Sequence, residues 1–210
     1  MDIEDIIIIP GKDYDSNIYV IDNTIIDTGT GHNKNYVFSK MKKAGVDPED
    51  IKLIINTHCH YDHIGGNSLF SAKIAIHKKD SEALEKGDKM ATVSYLFGEK
   101  CHPMKVHKKL KDGNKIAGFK VIHTPGHTPG SICLFSDGIL ISGDTIFANG
   151  GFGSCDYPGG NMEDLINSIK KIKSYDVEYL LPGHGEIVNN GNFHINLAFN
   201  KIKKLYNFLK

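Results

Sequence analysis

Residues 55–66 read Ile-Asn-Thr-His-Cys-His-Tyr-Asp-His-Ile-Gly-Gly, and this stretch decides the fold. Four candidate metal ligands lie within six positions of it: His58, His60, Asp62 and His63. Side chains two residues apart in an extended segment point the same way, so His58 and His60 can approach one ion from the end of a strand. A helix that begins directly afterwards would turn Asp62 and His63 toward a second position beside the first.

The residues around this cluster support a strand that turns into a helix. The apolar run 53–55 predicts a buried strand, and Gly65 and Gly66 let the backbone run close under the ligands. Cys59 should face the other side of the strand, which favours core packing over metal ligation. A surface turn that carries histidines by chance is the alternative, but such tight clustering behind a buried strand argues against it.

Length and composition limit the class of protein. The 210 residues suit a single domain, 1–210, with a substantial hydrophobic core. The 25 acidic and 25 basic residues cancel, which argues against nucleic acid and membrane surfaces as partners. Every basic residue is Lys, so the bidentate guanidinium fork is absent. An anionic substrate must therefore be held by Lys, backbone amides or metal.

The cysteines and the N-terminus bear on localisation. Cysteine pairs such as Cys-X-X-Cys and the dense spacing of a disulfide scaffold are both missing, which predicts a reducing, cytoplasmic setting. The apolar run 6–9 follows acidic residues and is too short for a signal peptide or a membrane span, so it predicts a strand. The sequence leaves the oligomeric state open.

Predicted strands and helices alternate in two rounds. The first round comprises an antiparallel meander (3–9, 17–21, 24–27), a helix (33–44), strands (53–55, 73–77) and a helix (80–85). Residues 87–104 carry apolar spacing that Gly and Pro interrupt, and we assign them only as a mobile or substrate-side segment. The second round comprises strands (106–110, 116–122, 132–135, 139–141, 177–181), a helix capped by Asn161, and an amphipathic C-terminal helix whose lysines form its solvated face. This order predicts an α/β layered domain.

Three further candidate ligands follow predicted strands in the second round. His127 lies in the turn Thr-Pro-Gly-His-Thr-Pro-Gly, Asp144 in Gly-Asp-Thr, and His184 in Pro-Gly-His-Gly. Tight turns at strand ends hold such side chains rigidly, which lowers the ordering cost of binding a ligand. Each turn alone is weak support for a site, but together with the cluster at 58–63 they predict a second group of ligands.

These motifs together resemble the metallo-β-lactamase fold superfamily and, within it, the short glyoxalase II-like (hydroxyacylglutathione hydrolase-like) hydrolases. The resemblance runs from Asp27-Thr28-Gly29 to His184 and implies a four-layer αβ/βα sandwich. It assigns His58, His60 and His127 to one metal. It assigns Asp62, His63 and His184 to a second metal, with Asp144 bridging the two. Asp62 is also the residue that we expect to act in catalysis.

The donor set agrees with this assignment. Imidazole and carboxylate without thiolate suit two divalent ions, Zn²⁺ above all, with Fe²⁺ or Mn²⁺ as alternatives. Two ions about 3.5–4 Å apart lower the pKa of a bridging water to about 7. The expected function is therefore a metal-dependent hydrolase that uses a bridging hydroxide to cleave a small acyl thioester or related ester.

The resemblance leaves the substrate open. Residues 153–160 resemble the substrate loop of short glyoxalase II-like proteins and persulfide dioxygenases and make Tyr157 a candidate substrate-binding residue, but Ser154 replaces a usual basic residue. Alternatives are a mono-iron persulfide dioxygenase (His58, His127, Asp144), a lactonase, or a metal-stabilised binding module. We also expect the chain to lack the glutathione-binding helical domain of full-length glyoxalase II. His123 is either a partner of a ligand or a core histidine. The remaining histidines are expected to be structural or surface residues, namely His32, His77, His102, His107 and His194.

Overall fold

A computed structural model describes residues 1–209, which form an α/β fold with two sheets. The chain divides into two compact units, one from Asp2 to Leu110 and one from Lys111 onward together with Met1. Each unit contains one sheet and its own helices. The α/β prediction is confirmed, and the single domain stays a prediction.

The N-terminal unit contains a six-stranded mixed sheet. In spatial order its strands are β1 (Ile7–Ile9), β2 (Ile18–Ile21), β3 (Thr24–Ile26), β4 (Leu53–Ile55), β5 (Lys73–His77) and β6 (Val106–Leu110). The first three strands form the predicted antiparallel meander, and β3 to β6 run parallel. Parallel strands are buried on both faces, which agrees with the short Ile-rich runs.

The helices of this unit are α1 (Lys34–Lys43), α2 (Tyr61–Ile64) and α3 (Ser81–Lys86). Short 3₁₀ helices lie at Ile3–Asp5, Pro48–Asp50, Gly65–Leu69 and Ser94–Phe97. Val37 and Met41 of α1 pack into a core with Ile25, Ile54 and Ile76. This core supports β3 and β4, and the C-terminal end of β4 leads into the motif at 55–66.

The C-terminal unit contains a five-stranded sheet in the order β11, β10, β9, β8, β7. Its strands are β7 (Lys115–Ile116), β8 (Phe119–His123), β9 (Ile132–Ser136), β10 (Ile139–Gly143) and β11 (Tyr179–Pro182). A 3₁₀ helix (Ala148–Gly150) and the helices α4 (Met162–Ile172) and α5 (Gly191–Leu209) complete it. Leu165 and Ile169 of α4 and Ile195 and Ala198 of α5 are buried in its core. The predicted cap is confirmed, because the Asn161 side chain accepts a hydrogen bond from the Asp164 amide at 2.9 Å.

Two strand predictions were wrong. Residues 3–9 do not form one strand, because Ile3–Asp5 is a 3₁₀ turn in which the Asp2 amide donates to the Asp5 carboxylate. Residues 116–122 do not form one strand either. Ala117 has φ of 47° and Gly118 has φ of 80°, and this left-handed pair folds the segment into the β7–β8 hairpin. Period-2 patterning does not show such a turn, because Ala is not a usual turn residue.

The remaining elements differ from the predictions mainly at their ends. The hairpin across Asp137-Gly138 is confirmed by antiparallel pairing of β9 with β10. All four cysteines are free thiols. Within the described residues, no helix has the length and apolar character needed to cross a bilayer.

Candidate metal centre

The turn from β4 into α2 positions the N-terminal set of candidate ligands, which is His58, His60, Asp62 and His63. His60 has extended backbone and precedes the first residue of α2, as predicted. The ligand atoms of His58 and His60 lie within 4.8 Å of one another, and the same limit holds for the pairs His58–His63 and Asp62–His63. His58, His60 and His63 are buried. One short stretch therefore gathers four donors.

Asp27 orients two of these histidines, and the sequence interpretation missed it. Its Oδ2 accepts a hydrogen bond from His63 Nδ1 at 2.8 Å, and from Thr57 Oγ1 at 2.7 Å. The Thr57 hydroxyl gives its proton to Asp27, so its oxygen accepts from His58 Nδ1 at 3.1 Å. Each neutral ring then carries its proton on Nδ1 and presents Nε2 as the ligand atom.

Backbone contacts fix the same stretch from both sides. The Thr57 amide donates to Asp27 Oδ1 at 2.8 Å, and the Cys59 amide, between two ligands, donates to Asp80 Oδ2 at 3.1 Å. Cys59 itself belongs to the hydrophobic core, so the prediction that it packs is confirmed. Burial and the nearby Asp80 carboxylate raise the pKa of the Cys59 thiol.

Gly66 allows the close approach that the motif predicts. A Cβ atom at this position would lie 2.2 Å from the Thr28 carbonyl oxygen. The loop after β3 therefore packs directly on the backbone that follows α2. The Asn67 and Asn56 side chains lock this contact by hydrogen bonding to each other and, through Asn67, to Thr28.

The C-terminal set of candidate ligands is His127, Asp144 and His184. A single oxygen of Asp144, Oδ2, lies 3.6 Å from His127 Nε2 and 3.7 Å from His184 Nε2. These separations are too long for hydrogen bonds and suit donors that share a cation. Asp144 and His127 are buried, whereas the His184 side chain is 36% exposed and lies beside Phe147. The three turns thus bring together the ligands predicted from separate strand ends.

The loop after Gly150 holds His127, a second feature that the sequence interpretation missed. His127 Nδ1 donates to the Ser154 carbonyl at 2.7 Å, so its Nε2 points away from that loop. A Cβ atom on Gly153 would lie 2.0 Å from the Asp144 carbonyl oxygen and 2.9 Å from His127 Nδ1. Glycine at 153 is therefore required for the loop to reach both ligands.

The other candidate residues lie as follows. Tyr157 is half-buried in the same loop, and its role in substrate binding stays a prediction. His123 Nε2 contacts the Pro129 carbonyl at 3.0 Å. His32 pairs with Glu99, His107 accepts from the Ile74 amide, and His194 accepts from the Asn149 amide. Structural contacts of this kind agree with the predicted role of the last three.

The chemistry of both ligand sets fits divalent metal. Each set offers imidazole Nε2 and carboxylate oxygen and contains no thiolate, which suits an ion that exchanges water and substrate better than a closed structural zinc. Rings held by hydrogen bonds through Nδ1 are typical of histidines that bind metal.

Comparison with known proteins places the chain in a family. The model of the metallo-beta-lactamase superfamily matches residues 11–184. The chain belongs to the metallo-beta-lactamase superfamily. The match covers both ligand sets, and it confirms the resemblance seen in the motifs at the level of the superfamily.

Several members of the superfamily are similar over most of the chain. "Probable metallo-hydrolase MJ0888" of Methanocaldococcus jannaschii is 40% identical over 84% of this chain and 91% of its own length. "Acyl-coenzyme A thioesterase MBLAC2" of Homo sapiens is 30% identical over 80% of this chain and 72% of its own length. The structure of TTHA1623 in a di-iron-bound form superposes with a TM-score of 0.72 and 25% identity, over 88% of this chain and 95% of that one.

Proposed function

We propose that the two ligand sets together bind two divalent ions and that the protein hydrolyses acyl thioesters or closely related acyl esters. One observation carries the proposal: a single Asp144 oxygen lies 3.6 Å from His127 Nε2 and 3.7 Å from His184 Nε2. This is the arrangement expected of a carboxylate that serves two metals. The seven proposed ligands are His58, His60, Asp62, His63, His127, Asp144 and His184.

The residues around the ligands would prepare them for this role. Asp27 and the Ser154 carbonyl hold three rings in the tautomer that offers Nε2, and burial limits the access of bulk water. Divalent ions, when bound, would supply Lewis acidity and a nucleophilic water at neutral pH. We propose that Asp62, whose side chain is partly exposed beside His63, holds or accepts a proton during the reaction. Tyr157 would contact the substrate.

The similarity to a thioesterase supports acyl thioesters as substrates of this chain. Thioesters and esters have the same electrophilic carbonyl, and attack on either needs the same nucleophile. We propose Zn²⁺ or Fe²⁺ as the native metals, the latter because a di-iron relative shares this fold. We propose one functional domain over 1–210, because the ligands of each unit alone make an incomplete site. We also propose a cytoplasmic setting.

The test uses purified protein loaded separately with Zn²⁺, Fe²⁺ and Mn²⁺. Two ions per chain and metal-dependent hydrolysis of at least one thioester, ester or lactone are expected, with thioesters fastest. Asp144→Asn should abolish turnover and reduce the metal content. One iron per chain with oxygen consumption on persulfide substrates would replace the proposal with a dioxygenase. Full metal loading without turnover on any acyl substrate would refute it.

A further inference from the structure

Large apolar side chains remain exposed in two places within the part of the chain that the structure describes. Phe193, Leu205 and Phe208 lie on α5. The others lie in the N-terminal unit: Tyr14 (77% exposed), Met90 (55%), Tyr95 (36%) and Leu96 (53%). Single exposed apolar residues are normal, but several brought together mark a contact surface.

Ring contacts join part of the second group into one surface. Phe97 lies between two tyrosines, with its ring 6.2 Å from that of Tyr14 in an edge-on contact and 5.6 Å from that of Tyr61. Leu96 precedes Phe97 in the Ser94–Phe97 3₁₀ helix. We call Tyr14, Leu96 and Phe97 the aromatic surface, together with Tyr61, which is buried and joins the surface to the core. It contains residues from three separate segments, so a single-helix pattern does not explain it.

The aromatic surface is attached to the ligand helix α2. Tyr61 lies between His60 and Asp62 in sequence, and its amide donates to the Thr92 carbonyl at 2.8 Å, just before Leu96 and Phe97. On the Tyr14 side, the Ser16 amide donates to the Asp62 carbonyl at 3.1 Å. Both outer segments are therefore fixed to adjacent residues of the metal-binding motif.

The backbone at Val93 and Ser94, which precedes the aromatic surface, has two energetically unfavourable features. Val93 is buried with φ of 48°, a left-handed conformation that β-branched residues rarely adopt. The hydroxyl of Ser94 is buried without a hydrogen-bond partner among the described residues. These features precede a 3₁₀ helix that leaves Tyr95 and Leu96 at the surface, while Phe97 packs against the core. Left-handed backbone at a β-branched residue is a strain that is often found in functional segments.

We infer that the aromatic surface binds the apolar acyl chain of the substrate, so that the protein selects thioesters or esters with medium-length alkyl chains. This inference rests on the proposed function. A carbonyl held at the ligand motif must place its acyl chain nearby, and the aromatic surface adjoins that motif. Glu99, two residues after Phe97, contacts His32 Nε2 at 2.9 Å, and the rings of Tyr14 and Phe97 offer apolar contact.

The test measures hydrolysis and binding separately. Hydrolysis uses metal-loaded enzyme and N-acetylcysteamine thioesters with acyl chains of two to ten carbons. The value of kcat/KM should rise about two- to fourfold per added methylene until the surface is covered. Leu96→Ser and Tyr14→Ser should flatten this rise, so that long-chain thioesters lose more kcat/KM than the acetyl thioester does. Phe208→Ser, which removes an 86% exposed apolar side chain on α5, is the matched control and should keep the wild-type slope.

Binding uses the corresponding S-alkyl thioethers, which cannot be hydrolysed, and calorimetry. The decyl compound should bind more tightly than the ethyl compound, and Leu96→Ser should remove the difference. Turnover without chain-length dependence, or a slope that both variants retain, would overturn the inference and leave the proposed function standing. Chain-length-dependent binding without turnover would support the surface and refute the hydrolase. Altered self-association in Leu96→Ser with unchanged binding would show that the surface contacts protein instead.

Discussion

The N-terminal unit takes its four proposed ligands from one strand-to-helix turn, whereas the C-terminal unit takes its three proposed ligands from turns that lie far apart in sequence. The two sets also differ in how their rings are held. In the first set a buried side chain, Asp27, orients His58 through Thr57 and His63 directly. In the second, His127 is held by a main-chain carbonyl at Ser154. Local sequence thus forms one set, and tertiary folding forms the other.

This difference predicts which kind of substitution disturbs the orientation of each set of histidines. A side-chain acceptor can be removed by one substitution that leaves the backbone in place. A main-chain acceptor can be displaced only by moving the loop, and Gly153 is the residue that lets the loop approach. The N-terminal set should therefore respond to polar substitutions and the C-terminal set to steric ones.

Removal of Asp144 should have the largest effect. Since its Oδ2 lies close to both His127 and His184, Asp144→Ala should lower metal affinity more than about 100-fold, beyond the usual loss from a supporting residue. Inductively coupled plasma mass spectrometry after dialysis against graded chelator measures this. The alanine variants of the other six ligands are the controls. Equal losses in all seven would contradict a shared role for Asp144.

A side chain at Gly153 should come next. Gly153→Ala places a Cβ 2.0 Å from the Asp144 carbonyl oxygen, so the loop must move and His127 must lose its acceptor. We expect the metal affinity to fall about 10- to 100-fold and the free energy of unfolding to fall by about 1–3 kcal/mol.

Gly66→Ala is the matched control for this steric effect, because its Cβ also meets a backbone carbonyl oxygen, that of Thr28, and its three nearest atoms all belong to Thr28 and not to a candidate ligand. It should lower the free energy of unfolding, measured by urea titration, with a smaller change in metal affinity. Equal affinity losses in the two variants would show that general destabilisation, not the loop contact, controls metal binding.

Asp27→Asn tests the polar side of the comparison. Asn tolerates the left-handed backbone at this position, where φ is 56°, so the fold should persist. One amide oxygen cannot replace both carboxylate oxygens, and we expect a 10- to 100-fold loss of metal affinity with a circular dichroism spectrum unchanged. Ser154→Ala is the control for the other set and should bind metal like the wild type. An unaffected Asp27→Asn would mean that burial alone orients the rings.

The smallest predicted effect is on the pH dependence of stability, and it comes from the buried thiol of Cys133 in the core of the C-terminal unit. Burial raises the pKa of the Cys133 thiol to about 11, above that of an unfolded cysteine. Unfolding therefore releases a proton between about pH 9 and 11, and stability falls as the pH rises through this window. Cys133 should account for about 1–2 kcal/mol of the loss at pH 10. Urea titrations at pH 8 and 10 should show that the free energy of unfolding falls less with pH in Cys133→Ala than in the wild type. Equal falls in the two proteins would show that the Cys133 thiol does not cause the loss.

The same comparison explains what the sequence could predict. The cluster from His58 to His63 is recognisable because all of its members share one turn, and periodicity alone places β4 ahead of it. Asp27 was overlooked as a partner because its contacts with Thr57 and His63 join residues about thirty positions apart. Gly153 was read only as part of a loop, since its role depends on the approach of Asp144 and His127 in three dimensions. Ala117 gave no turn signal, which is why the β7–β8 hairpin was predicted as one strand.

Ser154 orients His127 through its main-chain carbonyl and not through its side chain. Every amino acid has the carbonyl that His127 needs, whereas the Ser154 hydroxyl is exposed and bonds only locally, to Asp156. Position 154 can therefore accept a charged, polar or apolar side chain without disturbing the orientation of His127. In evolutionary terms, the chain can change what this loop offers to a substrate while the ligand beneath it stays the same.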